Sequence, residues 1–118
     1  MKKLSALAVA RKAGQLALSR KGFEVCILKV KGLSSVCDYF VIASGAADVH
    51  VRAIAEAVDE GLLKHGIKPS HREGMKEGNW VLLDYIDVVV HIFYEPTRRF
   101  YALEKLWGDA PVEEIADR

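Results

Sequence analysis

Residues 79–107 read NWVLLDYIDVVVHIFYEPTRRFYALEKLW, a strand, a short turn, a second strand and a helix. Side chains alternate between faces along a strand. Trp80, Leu82 and Asp84 therefore share one face of the first strand, opposite Val81, Leu83 and Tyr85. In the second strand Val89, His91 and Phe93 oppose Val88, Val90, Ile92 and Tyr94. The connection is too short for a crossover, so the strands pair antiparallel. Val81, Leu83, Val90 and Ile92 then line one face as core. The other face carries Trp80, Asp84 and His91 among apolar neighbours. Such a face suits contact with a partner; a half-exposed sheet edge with two satisfied polar residues fits it equally well.

The helix that follows takes Thr97 as its N-cap and Gly108 as its stop. Arg98 and Arg99 fall in its first turn, where the macrodipole disfavours cations by up to about 1 kcal/mol. Residues placed against local preference often serve something outside the helix. Tyr101 and Trp107 share the element, and Tyr, Trp and Arg are enriched in interface hot spots. Phe100, Leu103 and Trp107 also stand at helical spacing, and packing on the sheet is expected of Phe100 and Leu103.

Working outward, residues 4–20 carry a stripe of Ala6, Val9, Ala10, Ala13, Leu16 and Ala17, a helix built for close packing. Gly14 weakens it by about 1 kcal/mol and Gly22 ends it. Phe23–Val30 and Asp38–Ser44 read as strands, the second apolar enough to be central. Residues 48–65 form the most periodic helix, with Val51, Ile54, Ala55, Val58 and Leu62 inward. Asp48 is its expected N-cap, Gly66 its stop, and Arg52–Glu56 and Glu60–Lys64 its surface pairs. A short edge strand near His71–Glu73 precedes the hairpin. Residues 109–118 are acidic and read as a loose tail. The order predicts a small α/β sandwich: three main helices and a mixed sheet of about five strands.

Composition narrows the function. The chain has 118 residues, 51% hydrophobic and 28% charged, which suits one globular domain. Burial of about 65% of the unfolded surface removes the need for a metal or disulfide staple. Cys26 and Cys37 lack a CxxC spacing and read as free thiols of a reducing compartment. The net charge of +1 gives no bulk case for nucleic acid or membrane. Residues 1–23, however, hold six basic side chains and no acid. The apolar run after Lys2 and Lys3 is at the lower limit for a signal peptide, and an acid-poor, Arg-containing helix also fits an organellar presequence.

Catalysis has little support. Ser44-Gly45 ends a strand before a helix, a place where phosphate meets backbone N–H groups. The order of elements is similar to nucleotidyltransferases, which follow such a turn with paired acids holding magnesium. Here Glu56, Asp59 and Glu60 lie on a helix, and Asp84 and Asp87 flank a turn. His50, His65, His71 and His91 stand in no metal-binding spacing. No cofactor and no metal is expected.

DYFVIASG at 38–45, EG at 73–74, WVLLD at 80–84, VVVHIF at 88–93 and RRFYALEKLW at 98–107 stand in the order and spacing of one family. Over residues 4–110 the chain resembles the ribosomal silencing factors, also called RsfS or Iojap-like proteins. The resemblance implies a domain over residues 1–110 with an acidic tail at 111–118, of nucleotidyltransferase-like topology without the catalytic acids. It implies a protein that is not an enzyme, binds the large ribosomal subunit through its protein L-fourteen, and sterically blocks the small subunit. It further implies a homodimer off the ribosome and a cytoplasmic location, or an organellar matrix in a eukaryote. A protein-interaction module with a non-ribosomal partner is the alternative.

By motif position the resemblance places partner-binding residues at Trp80, Asp84, His91, Arg99, Tyr101, Glu104 and Trp107, with Asp38 and Glu73 as further family positions. Trp80, Leu82, His91 and Phe93 are expected as contacts on the sheet face, with Arg99 and Tyr101 beside them and Asp84 orienting His91. The chain departs from the family pattern in three places. Ala46-Ala47 replace a polar cap. Ile86 stands where glycine is common, and a β-branched residue resists positive φ, so a different turn is expected. The wholly basic first helix is the third departure, and a minor ribosomal RNA contact is expected there.

Overall fold

The computed structural model describes residues 4–116. Its elements are α1 (Ala6–Ser19), β1 (Phe23–Lys29), β2 (Tyr39–Gly45), α2 (Asp48–Leu63), β3 (His71–Glu73), β4 (Trp80–Asp84), β5 (Val88–Tyr94), α3 (Glu95–Tyr101), α4 (Leu103–Leu106) and β6 (Val112–Glu114). The sheet has six strands in the order β3-β4-β5-β2-β1-β6. Only β2 and β5 run parallel; the hairpin β4–β5 is antiparallel, in the register Leu82↔His91.

The two faces of the sheet are covered differently. Helices α1 and α2 lie on one face over Val25, Ile27, Val41, Val81, Leu83, Val90 and Ile92. Ser5 caps α1 by accepting the Ala8 N–H at 3.1 Å, and the fully buried Ala10, Ala13 and Ala17 let the helix approach closely. On the other face Leu28, Ile42, Val89 and Phe93 form a second core beneath α3, α4 and Ala110.

Residues 111–115 are not a loose tail. Val112–Glu114 pair antiparallel with β1 at Leu28, Ile27 and Cys26. Ile115 sits against Gly14, whose added Cβ would meet Ile115 Cγ1 at 3.1 Å. The glycine that weakens α1 is thus the seat of the sixth strand. Arg11 completes the dock by donating from Nε and Nη2 to the Glu113 carboxylate, both at 2.9 Å. That ion pair holds the Glu113 carboxyl below the usual carboxylate range. Individually short and polar, the segment is ordered by contacts far away in sequence.

Further local expectations are corrected. Lys21, not Gly22, takes the left-handed conformation after α1, and the Gly22 N–H closes the turn onto Ala17 O. Helix α2 has Ala47 at its N-cap with no side-chain cap, while Asp48 pairs with Arg52 at 2.8 Å in place of Glu56. His50 does the capping from inside the helix. Its Nδ1 accepts the Ala46 N–H at 2.9 Å and its Nε2–H donates to Arg20 O at 2.8 Å. A side chain reaching back from the third helical position is the logic of a capping box, here supplied by an imidazole.

The β4–β5 turn is the other correction. Ile86 adopts φ +75° with its side chain exposed. Asp84 Oδ1 accepts the Ile86 N–H at 2.8 Å, and Asp87 O accepts Asp38 N–H and Tyr39 N–H at 2.8 and 3.1 Å. Contacts on both sides hold the turn against the preference of its β-branched residue. Asp84 therefore caps the turn and does not orient His91.

Candidate functional site

The face covered by α3 and α4 is covered incompletely. Phe40, Trp80, Leu82 and Trp107 are half-buried around its rim, and Phe100, Tyr101 and Leu106 stand out in solvent. The rings form a continuous band. Tyr101 packs on Trp80 at 4.8 Å between centroids, Trp80 lies 5.9 Å from His91, His91 4.8 Å from Phe40, and Phe40 5.6 Å from Trp107. Strands β4, β5 and β2 supply Trp80, His91 and Phe40; the α3–α4 strap supplies both ends. An exposed run of aromatic and aliphatic groups backed by a rigid sheet is the usual make-up of a protein-docking surface.

His91 lies beneath this surface, at 5% exposure. The Trp80 Nε1–H donates to its Nδ1 at 3.0 Å. An acceptor Nδ1 requires the neutral imidazole with its proton on Nε2. Burial pushes the imidazole down to about 4, so neutrality is the ground state at physiological pH. The Nε2–H finds no hydrogen-bond partner among the described residues. Phe93 is wholly buried and packs under Trp80, tilted, at 4.8 Å between centroids. Both residues, expected as direct contacts, support the indole from below.

The strap departs from the predicted helix. It starts at Glu95, with Tyr94 as N-cap and Pro96 in the first turn, and breaks at Ala102 (φ 48°, ψ 54°). The four-residue α4 follows and ends at Trp107. Arg98 and Arg99 consequently occupy the last turn of α3, where the macrodipole favours cations. Arg99 is exposed and pairs with Glu95 at 3.0 Å. Arg98 is buried and bonds Glu104 from Nε and Nη2 at 3.0 and 2.8 Å. Glu104 is thereby a partner of Arg98 first and a surface group second.

Of the expected residues, Trp80, Leu82, Tyr101 and Trp107 come together on one face. Asp84 stands at the far end of the hairpin, in the turn. Glu73 follows the same face outward, opposite Leu82, where it pairs with His71 at 2.8 Å. Sequence reasoning missed Phe40 and assigned Phe100 to packing, whereas Phe100 is 81% exposed. The alternation of β2 through Phe40 and Ile42 was the available signal for Phe40. Nothing local marked Phe100, because the break at Ala102 separates it from the buried Leu103 with which it shares helical spacing.

The polar groups of the Ser44-Gly45 turn are engaged internally. Ser44 Oγ accepts Arg98 Nη1–H at 2.8 Å and the Ala46 N–H is bonded to His50. Asp59 pairs with Arg72 at 2.7 Å. Among the described residues no three His, Cys, Asp or Glu stand together in metal-holding geometry. No helix among the described residues is long and apolar enough to cross a membrane. Cys26 and Cys37 are free and buried, and burial pushes the Cys37 thiol up to about 11.

The profile of the family described as "Ribosomal silencing factor during starvation" matches residues 3–118. A protein of Bacillus subtilis named ribosomal silencing factor RsfS is 42% identical over 96 residues, 81% of each chain. An Arabidopsis thaliana protein named Protein Iojap, chloroplastic, is 32% identical over 92% of this chain and 45% of its own. A crystal structure from Chromobacterium violaceum superposes with a TM-score of 0.87 at 30% identity, covering 89% of this chain and 88% of the other.

Proposed function

The chain belongs to the ribosomal silencing factor family, and we propose that it silences by docking, not by chemistry. The docking surface is the incompletely covered sheet face, with Trp80, Leu82, Tyr101 and Trp107 at its centre, Phe100 and Arg99 on one flank and Glu73 and Asp84 on the other. Its partner is the large ribosomal subunit at protein L-fourteen, and the bound domain stands where the small subunit must join. The band of rings from the exposed Tyr101 through the half-buried Trp80 and Phe40 to the half-buried Trp107, joined from below by the buried His91, is the observation that carries this reading. A half-buried Trp on a rigid sheet, with an exposed Tyr of the strap packed against it, supplies large contact area at little entropic cost.

The same apolar strip, with Phe100 at 81% and Leu106 at 74% exposure, would be covered in the free protein by a second copy. Ribosomal RNA is a secondary contact for α1. Arg11 is engaged by Glu113, which leaves, among the described residues, the exposed Lys12 on the helix and Arg20 and Lys21 just beyond it. The site of action is the cytoplasm, or the organellar matrix in a eukaryote.

Sedimentation of purified subunits tests the reading. Native protein should travel with the large subunit and reduce joined ribosomes, and a Trp80→Ala, Tyr101→Ala double variant should do neither. A variant that blocks joining as well as the native protein would move the interface elsewhere. Native protein that ignores the large subunit would refute the ribosomal reading.

A further inference from the structure

We infer that Arg98 is the positioning residue of the docking face, acting through Tyr101 and Trp107; this rests on the docking reading above. Arg98 is 8% exposed and every nitrogen of its guanidinium is engaged. Nε and Nη2 donate to Glu104 Oε2, Nη1 donates to Glu24 O at 2.7 Å and to Ser44 Oγ at 2.8 Å, and Nη2 points to Cys26 Sγ at 3.7 Å. One side chain thus ties both halves of the strap to the ends of β1 and β2.

The strap would not break at Ala102 by itself. Alanine is the strongest helix former, and a left-handed alanine is disfavoured. Glu24, at the other side of the clamp, is also left-handed, at φ 49°. On an unbroken helix, residues six apart point about 120° away from each other. Arg98 and Glu104 are six apart, and so are Tyr101 and Trp107. The break brings the first pair into a salt bridge and lays the second pair on the same sheet face, Tyr101 against Trp80 and Trp107 against Phe40. The clamp and the spacing of the two aromatic contacts are therefore one geometric condition. Lysine, with a single ammonium point, cannot hold Glu104, Glu24 O and Ser44 together.

The test compares Arg98→Lys, Arg98→Met and Glu104→Gln with a double variant, Arg98→Met with Glu104→Met, which leaves no buried unpaired charge. Thermal unfolding, near-ultraviolet circular dichroism of Trp80 and Trp107, and co-sedimentation with large subunits are read for each. Positioning predicts an altered aromatic spectrum and about tenfold weaker binding for Arg98→Lys. It also predicts a double variant that recovers thermal stability without recovering binding or the native spectrum. Recovery of all three in the double variant would reduce the pair to a plain stabiliser and overturn the inference. If Arg98→Met fails to fold, Arg98→Lys and Glu104→Gln decide alone. If Trp80→Ala binds like the native protein, the docking reading fails by itself. A native aromatic spectrum in Arg98→Lys then overturns the positioning role, and an altered one upholds it.

Discussion

The indole N–H of Trp80 and the Nδ1 of His91 share one hydrogen bond of 3.0 Å, and it joins the residue proposed as the central contact to a buried titratable group. The bond exists only while the imidazole is neutral. Acid therefore threatens the seat of Trp80 as well as the stability of the sheet.

The sign of that effect follows from linkage. Burial pushes the His91 imidazole down to about 4 in the folded chain, against 6.5 when free, so between those values the unfolded chain binds more protons. Stability is full above pH 6.5, falls as pH drops towards 4, and levels off below. A shift of this size corresponds to roughly 3 kcal/mol. Unfolding midpoints of the native protein and His91→Phe, measured from pH 7.5 to 4, should show the native protein losing that extra increment. Parallel curves would show that His91 is already solvated. Large-subunit binding should stay flat from pH 8 to 6.

Ile86 is held at φ +75° with its side chain in solvent. Left-handed backbone costs a non-glycine residue about 1–2 kcal/mol, and glycine relieves most of it. Ile86→Gly should raise stability by about 1 kcal/mol, or about 4 °C in midpoint. An unchanged or lowered midpoint would mean that Ile86 contributes packing that compensates its strain.

The hairpin, both long helices and the inward faces were legible because periodicity is a local property. Val81, Leu83, Val90 and Ile92 are buried as their alternation requires. Docking of β6 was not legible, since Val112–Glu114 is a strand only because β1, Gly14 and Arg11 receive it. The strap misled for a related reason. Residues 97–107 carry good helical periodicity, and the part-buried salt bridge that spans the break joins Arg98 to a carboxylate whose approach the unbroken pattern forbids. Trp80, Leu82, Tyr101 and Trp107 were found as surface residues; that His91 and Phe93 lie below them depends on what covers β5, which alternation alone does not say.

Truncation after Ala110 tests the sixth strand. It removes the Arg11–Glu113 pair, the backbone bonds to β1 and the half-buried Ile115. Loss of that burial and pairing should cost about 2 kcal/mol and bare the β1 edge, promoting self-association. Gly14→Ala in the truncated chain should then be stabilising by about 1 kcal/mol, because Ile115 no longer occupies the space. Equal effects of Gly14→Ala in both chains would separate the glycine from the strand.

Phe100 distinguishes contact from support most cleanly. At 81% exposure its removal deprives the fold of little, and Phe100→Ala should shift stability by less than about 0.5 kcal/mol. Trp80→Ala, by contrast, leaves the rings of Phe93 and Tyr101 uncovered and should cost about 3 kcal/mol. If the strip docks on the large subunit, both variants lose affinity, and Phe100→Ala does so with an intact fold. Titration of large subunits with Phe100→Ala should show weakening of about tenfold. Native affinity would confine the interface to the sheet rim around Trp80, Leu82 and Phe40 and leave the outer side of the strap for self-association. Sedimentation equilibrium of the same variant reads that second case directly, as a weakened dimer with subunit binding unchanged.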